Sequence, residues 1–262
     1  MFRNEDHTFV ICAYGVSSYL EECICSLKRQ TIDSKILITT STPNDLIYNL
    51  SEKYSIPVFE NHGETGISGD WNFALSTAET QLITIAHQDD VYMPLYKEIM
   101  LERMNRAKDP ILFSSAYGEL RNNNEIYSSR LLNIKKIMNL PISAMPQSVF
   151  ARRLSLSIGN AICCPSVTYV KSIAEHNLFK KGFESNIDWQ QWERLSKIKG
   201  SFVYYDKPLM LHRIHEDSET SRIIGNDKRK SEDFCMFNLF WPEPVAKALT
   251  SLYSKAEESN NI

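Results

Sequence analysis

Asp89 and Asp90 stand side by side near the end of the run "ITIAHQDDVY", residues 83–92. The run starts as a short buried strand and turns polar at once. Adjacent carboxylates repel, and a divalent cation can neutralise them. Mg2+ and Mn2+ favour oxygen ligands, often take one or two protein carboxylates, and draw the rest from water and substrate phosphates. The pair is also compatible with a solvated turn, because the next helix welcomes acids at its start. Two further groups lie far along the chain. Asp188 sits just before a helical stretch, a place for an N-cap carboxylate. "LHRIHEDSETS", residues 211–221, carries Arg213, whose planar fork suits phosphate oxygens, between His212 and His215, which are potential metal or phosphate ligands. Together these are the parts of a metal-dependent transfer from a nucleotide diphosphate, if three distant segments converge.

The elements that would position them can be read from apolar periodicity. Strands are expected at 7–14, 35–40, 56–60, 81–86 and 110–117. Helices are expected at 17–30, with a Ser17 or Ser18 cap, at 41–54, opened by a Ser/Thr cap, after the glycine-bearing loop at 61–66, and at 94–109. Alternating strands and helices predict an α/β fold with a mostly parallel central sheet flanked by helices. Ligands of such sheets bind beyond the carboxyl ends of the strands. "YGV" (14–16), "TSTPND" (40–45) and the HQDD turn should therefore share one edge.

The second half is less regular. "GELRNNNEIYSS" (118–129) reads as two strands around a polar turn, "SLSIGNAICCPSVTYV" (155–170) as a loop entering a strand, and "NIDWQQWERLSKIKG" (186–200) as an amphipathic helix. "SFVYYDKPLMLHRIH" (201–215) reads as strand, turn, strand, and the tail from about 226 as polar, then helical. No repeat or Gly/Ser-rich linker appears, so residues 1–262 are expected to form one domain. It would comprise two functional halves, at about 1–115 and at about 116–225, the second with a smaller sheet, and a helical tail at about 226–262.

Composition narrows the partners. Hydrophobic residues make up 43% of the 262, enough for a sizeable core, and the net charge is −3. No global basic field exists, which argues against nucleic acid, and the cluster "NDKRKSED" is flanked by acids. The six cysteines form no CxxC pair and no zinc spacing, and most sit in apolar runs. The N-terminus has no apolar signal core and no run of about 18 apolar residues occurs, so a cytoplasmic location is expected, with peripheral membrane contact at the inner face open.

Four segments resemble the family 2 glycosyltransferases, which have the GT-A Rossmann-like fold. They are "FVICAYGVSSYLEECICSLKRQT", "GISGDWNFALSTAETQLITIAHQDD", "NIDWQQWERL" and "LHRIHEDSETS", in the family's order over roughly residues 8–220. The resemblance implies transfer of a sugar from a nucleotide-diphosphate donor, with UDP first, to an acceptor hydroxyl with inversion, in polysaccharide or glycoconjugate synthesis. It implies Mg2+ or Mn2+ at Asp89 and Asp90 with His215, and Asp188 as base. Arg213 would attend the diphosphate. Ala13, Tyr14, Asn72 and His87 would line the nucleotide pocket.

The sequence also departs from the family. His87 stands where the first Asp of the DxD-type motif is usual. "TTSTPND" replaces an acidic pair that reads uracil, so Thr40 or Ser41 would substitute. Gly15 stands where Asn is common. Trp189 and Trp192 are candidate acceptor walls, and the acceptor would be a saccharide, free or linked to lipid or protein. "NLFWPEP" (238–244) hints at a contact surface for a membrane or a second copy. The alternatives are a sugar nucleotidyltransferase, disfavoured because "YGVSSYLEE" has no Lys or Arg, and a non-catalytic nucleotide-sugar-binding module.

Overall fold

The computed structural model describes residues 1–215 and 227–258, without the side chains of 227 and 255–258. Residues 216–221 of the closing "LHRIHEDSETS" motif and the start of "NDKRKSED" lie outside the described residues. Strands β1 (His7–Ala13), β2 (Lys35–Thr40), β3 (Val58–Glu60) and β4 (Leu82–His87) alternate with helices α1 (Leu20–Lys28), α2 (Asp45–Tyr54) and α3 (Ile67–Thr77). A two-residue strand β5 (Val91–Tyr92), helix α4 (Tyr96–Arg106), the long strand β6 (Pro110–Arg121) and its hairpin partner β7 (Asn124–Ile126) follow. Next come α5 (Arg130–Met138), α6 (Leu140–Ala144), α7 (Val149–Leu156), β8 (Thr168–Val170), α8 (Lys171–Ala174), α9 (Ile187–Leu195) and β9 (Ser201–Ile214). Two C-terminal helices, α10 (Asp227–Asn238) and α11 (Glu243–Glu258), pack on each other.

The strands form one path, β3-β2-β1-β4-β8-β6-β9-β5, with β7 paired to β6. The first four strands run parallel, as does the extended β6–β9 pair, while β8, β5 and β7 pair antiparallel. The smaller sheet expected in the second half is the distal part of this path, where β7 and β5 flank β6 and β9. Period-two alternation divides the core. Phe9, Ile11 and Ala13 of β1 pack with α1, α2 and α4, whereas Val10 packs with α3, α9 and the C-terminal helices. Parallel strands covered on both faces explain the near-continuous apolar β1 and β4.

Several local expectations are corrected. Asn44, not Ser41 or Thr42, caps α2, its side chain accepting from Ile47 N at 3.2 Å. Ser17 accepts from Tyr19 N, one turn before α1, whose own N-cap, Tyr19, uses no side chain. "SFVYYDKPLMLHRIH" is one strand, not two. Between the register pairs Ser115↔Tyr205 and Ala116↔Pro208 the ladder shifts, and Asp206 and Lys207 bulge out. A bulge lets Pro208 sit in the strand at a point where the ladder is already interrupted. Trp189 and Trp192 are fully buried, and neither is an acceptor wall. The Trp189 ring donates to Leu156 O and packs on Phe237, and Trp192 stacks on Tyr169. Phe240 and Trp241 of "NLFWPEP" are half-buried on α7: Trp241 Nε1 donates to Ser157 O, and Arg153 lies over the Phe240 ring.

β9 begins at a tight crossing. Gly200 has φ +138, and a Cβ there would stand 2.4 Å from Asp109 O. Gly200→Ala is expected to lower stability by about 1–3 kcal/mol through backbone strain and displacement of the Asp109 turn. A urea or thermal melt with an unchanged midpoint would contradict this.

Candidate active site

The HQDD turn follows β4 directly, and β9 ends beside it. Asp90 is fully buried. Its Oδ1 accepts from Arg213 N at 2.9 Å and lies 3.0 Å from His212 Nδ1. Asp89 presents Oδ2 to His215 Nε2 at 3.0 Å, and its backbone carbonyl accepts from Arg213 Nε at 2.8 Å. The Arg213 guanidinium also pairs with Glu22 and lies 4.3 Å over the Tyr19 ring. It is almost wholly buried and committed to protein partners. It is therefore placed to hold the turn, where direct contact with a diphosphate was expected.

The histidines set the electrostatics. Burial acts to raise the Asp89 pKa, but the charge of His87, the His215 contact and His212 outweigh it and hold this carboxyl below its ordinary value. Burial acts to lower the His212 pKa, and Asp90, with Asp89 behind it, reverses the sign and raises it. The cationic end of β9 thus offsets the paired acids.

His87 is placed differently from expectation. Its ring stacks on Trp71 of α3, with centroids 5.4 Å apart, and its ligand atom joins those of Asp89 and Asp90 within 4.8 Å of one another. His87 Nε2 and Asp90 Oδ2 are both buried and have no hydrogen-bond partner among the described residues. Buried polar atoms are normally paired, so two orphans in one cluster fit a bound divalent cation. His87, Asp89 and Asp90 could together hold such an ion, and His215, expected as a ligand, contacts Asp89.

The strand-end loops complete this edge. Ala13 ends β1 in register with Thr40 and is buried. Tyr14 is exposed, and its backbone N–H and C=O both bond the Gln88 side chain, at 3.1 and 2.9 Å. Gly15 adopts φ +60, a left-handed conformation open to Gly and Asn, which accounts for either residue there. Its N–H donates to Thr42 Oγ1 and its carbonyl accepts from Asn44. Thr40 Oγ1 accepts from Thr42 N, while the Ser41 hydroxyl donates to Asp70 Oδ2 at 2.9 Å. Asp70 Oδ1 accepts from Asn61 at 2.8 Å, so α3 returns a carboxylate to the loop where β2 lacks one. Asn72, expected in the nucleotide pocket, instead spends its amide on the backbone of Phe179, accepting at 2.8 Å and donating at 2.9 Å. It tethers α3 to the segment before α9.

Asp188 lies in the first turn of α9, after its N-cap Asn186. Its Oδ2 accepts from Asn160 at 2.8 Å and its Oδ1 from its neighbour Trp189 N at 2.7 Å. Burial raises its pKa above the ordinary carboxyl value, against the opposing hydrogen bonds and the charges of Lys135 and His87. The charge of His87 thus acts on Asp188 and Asp89 alike, lowering the pKa of each. Lys135 and Tyr117 were not legible as site residues. The Lys135 ammonium donates to Tyr117 OH at 2.8 Å, and although burial opposes its charge, the surrounding Tyr117, Tyr253 and Cys163 push its pKa up. Nothing in the spacing marks Asn160, 28 residues before Asp188. Asp70 was signalled only by the absence of acids after β2.

The sequence profile of the family described as "Glycosyl transferase family 2" matches residues 8–176. The chain belongs to glycosyl transferase family 2. This glycosyltransferase has the fold of solved relatives. The 1–349 fragment of TarS from S. aureus, in complex with UDP-GlcNAc, is 13% identical with TM-score 0.61, over 94% of this chain and 70% of that one. The mannosyltransferase PcManGT from Pyrobaculum calidifontis, in complex with GDP-Man and Mn2+, is 10% identical with TM-score 0.65, over 95% and 69%. A longer TarS chain is covered only to 42%. Among curated proteins, none matches the glycosyltransferase sequence.

Because His212 carries a raised pKa, its stabilising effect is present below its unfolded value and lost as pH rises through the folded one. The melting temperature of wild type should fall over that window, relative to His212→Asn. Parallel pH profiles of the two proteins would exclude the clamp.

Proposed function

We propose that this glycosyltransferase moves a sugar from a nucleotide-diphosphate donor, first of all a UDP-sugar, to an acceptor hydroxyl with inversion. Support comes from one observation above others: His87, Asp89 and Asp90 bring their ligand atoms within 4.8 Å of one another, and the His87 charge also bears on the buried Asp188 carboxyl. Asp188 takes the proton of the acceptor hydroxyl. The acceptor oxygen bonds the anomeric carbon as the bond to the diphosphate breaks, and the electron pair leaves with the diphosphate. Raised by burial, Asp188 is a stronger base than a free aspartate. Asn160 aims it, and Lys135 supplies a positive charge beside it.

His87, Asp89 and Asp90 would hold Mg2+ or Mn2+, which would supply positive charge to the leaving diphosphate. Arg213 and His215 keep Asp89 in place. Ala13, Tyr14 and Thr40 shape the nucleotide side. The Ser41–Asp70 pair offers a carboxylate to the base, where Thr40 or Ser41 alone was expected to serve. The chain acts as one unit of two halves, on a saccharide acceptor, free or linked to lipid or protein, in glycoconjugate synthesis at the cytoplasmic side. Among the described residues, no helix is long and apolar enough to cross a membrane.

UDP- and GDP-sugars incubated with and without Mn2+ should release nucleotide diphosphate from a UDP-sugar in the presence of metal. Consumption of a nucleoside triphosphate, or donor binding without turnover, would instead favour the alternatives named above. Asp188→Asn should cut kcat by about 10²–10⁴-fold. A buried acid with a raised pKa costs stability above that pKa and regains it as pH falls, so the same variant should melt no lower than wild type at neutral pH. A near-normal rate would remove Asp188 as base. Asp89→Ala should weaken Mn2+-dependent nucleotide binding by calorimetry, and equal affinity would take Asp89 out of the cation site.

A further inference from the structure

Helices α5, α6 and α7 pack in succession, and large apolar side chains stand exposed on them. Ile134, Ile137 and Leu140 are exposed there, as are Phe150, Leu154 and Ile158, which recur at i, i+4 and i+8. Ile137 is 64% and Phe150 71% exposed. The opposite side of α7 buries Ala151, Arg152, Ser155 and Leu156. A solvated helix carries polar residues on its outer face, so α7 is inverted in this respect. Large apolar side chains exposed in this number on successive helices mark a contact surface.

Charge says what covers it. Residues 126–174 contain no Asp or Glu, but hold Arg130, Lys135, Lys136, Arg152, Arg153 and Lys171, in a chain of net charge −3. Arg130 is exposed, and Lys136 and Arg153 are half-exposed among the apolar side chains. The Glu193 carboxylate that meets Arg153 is itself buried and shared with Lys197. A second copy docked face to face would set like charges against each other. An anionic bilayer takes both features, with apolar side chains entering the headgroup boundary and cations meeting lipid phosphates.

We infer that the α5–α7 face docks on an anionic lipid surface, which moves the membrane contact from the "NLFWPEP" tail to this face. The face runs into the candidate active site: Ile158 is followed within two residues by Asn160, the partner of Asp188, and Lys135 of α5 acts on the same carboxyl. Docking therefore sets the acceptor mouth at headgroup level, where a lipid-linked acceptor would present its hydroxyl. That orientation rests on the role proposed for Asp188, whereas docking itself does not.

The test is co-sedimentation of the full chain with phosphatidylcholine vesicles, with and without phosphatidylglycerol. Wild type should bind the anionic vesicles and be released by salt. Phe150→Glu and Ile137→Glu should each bind roughly ten-fold more weakly, and Arg130→Glu combined with Lys136→Glu should bind more weakly and lose most of the salt dependence. Equal far-UV spectra and melting points would show that the variants fold. Absence of binding to either vesicle, or binding unaffected by these substitutions, overturns the inference. So does a dimer in sedimentation that Phe150→Glu splits, which would make a second copy the occupant. Vesicle binding needs no donor, so binding without sugar transfer would refute the proposed reaction and leave the docking surface standing.

Discussion

Two carboxylates in sequence at the end of β4 are held together by the end of β9. Asp90 takes the Arg213 amide and faces His212; Asp89 faces His215 and gives its carbonyl to the Arg213 side chain. Without these contacts the paired acids would have to separate or take up protons, because one of them is buried outright. The clamp has a structural cost, which is that β9 must reach the turn in the right register. That explains why β9 is long, why it runs beside β6 for most of its length, and why it bulges at Asp206–Pro208 without breaking. β5, only two residues long, closes the outer edge by pairing Val91 with Leu211 just before the clamp.

Much of this was legible in the sequence because the first half repeats a simple rule. Apolar runs of strand length alternate with helical periods, and parallel strands buried on both faces leave few ambiguities. The boundaries of β2 and β4 follow from where the apolar run stops. β5 was invisible because two residues have no period. The unity of β9 was hidden by "DKP", which reads as a turn unless the neighbouring strand is known to absorb a bulge. α5 to α7 expose apolar residues as well as burying them, so apolar periodicity does not mark which face meets the core.

The site was legible in its charges and not in its geometry. Asp89, Asp90, Asp188 and the Arg/His segment are unusual enough in type and position to be singled out. Their division of labour is a matter of contacts. His87 joins the acids because α3 places Trp71 against its ring. Arg213 supports the turn because Glu22 and Tyr19 of the first helical segment enclose its guanidinium. Asn72 serves the backbone of Phe179, a residue with no sequence relation to it. Aromatic residues misled in the other direction: Trp189 and Trp192 have the chemistry of a sugar platform, but burial decides, and both are core.

Gln88, between His87 and Asp89, spends its amide as a side-chain rung just beyond the β1–β4 ladder, whose last pair is Cys12 and His87. It accepts from and donates to the backbone of Tyr14, as a neighbouring strand would. The lip over the first strand and the acidic corner therefore travel as a unit. Whatever lodges against Tyr14 is felt at Asp89 through a single side chain, so the lip and the acidic corner are mechanically linked.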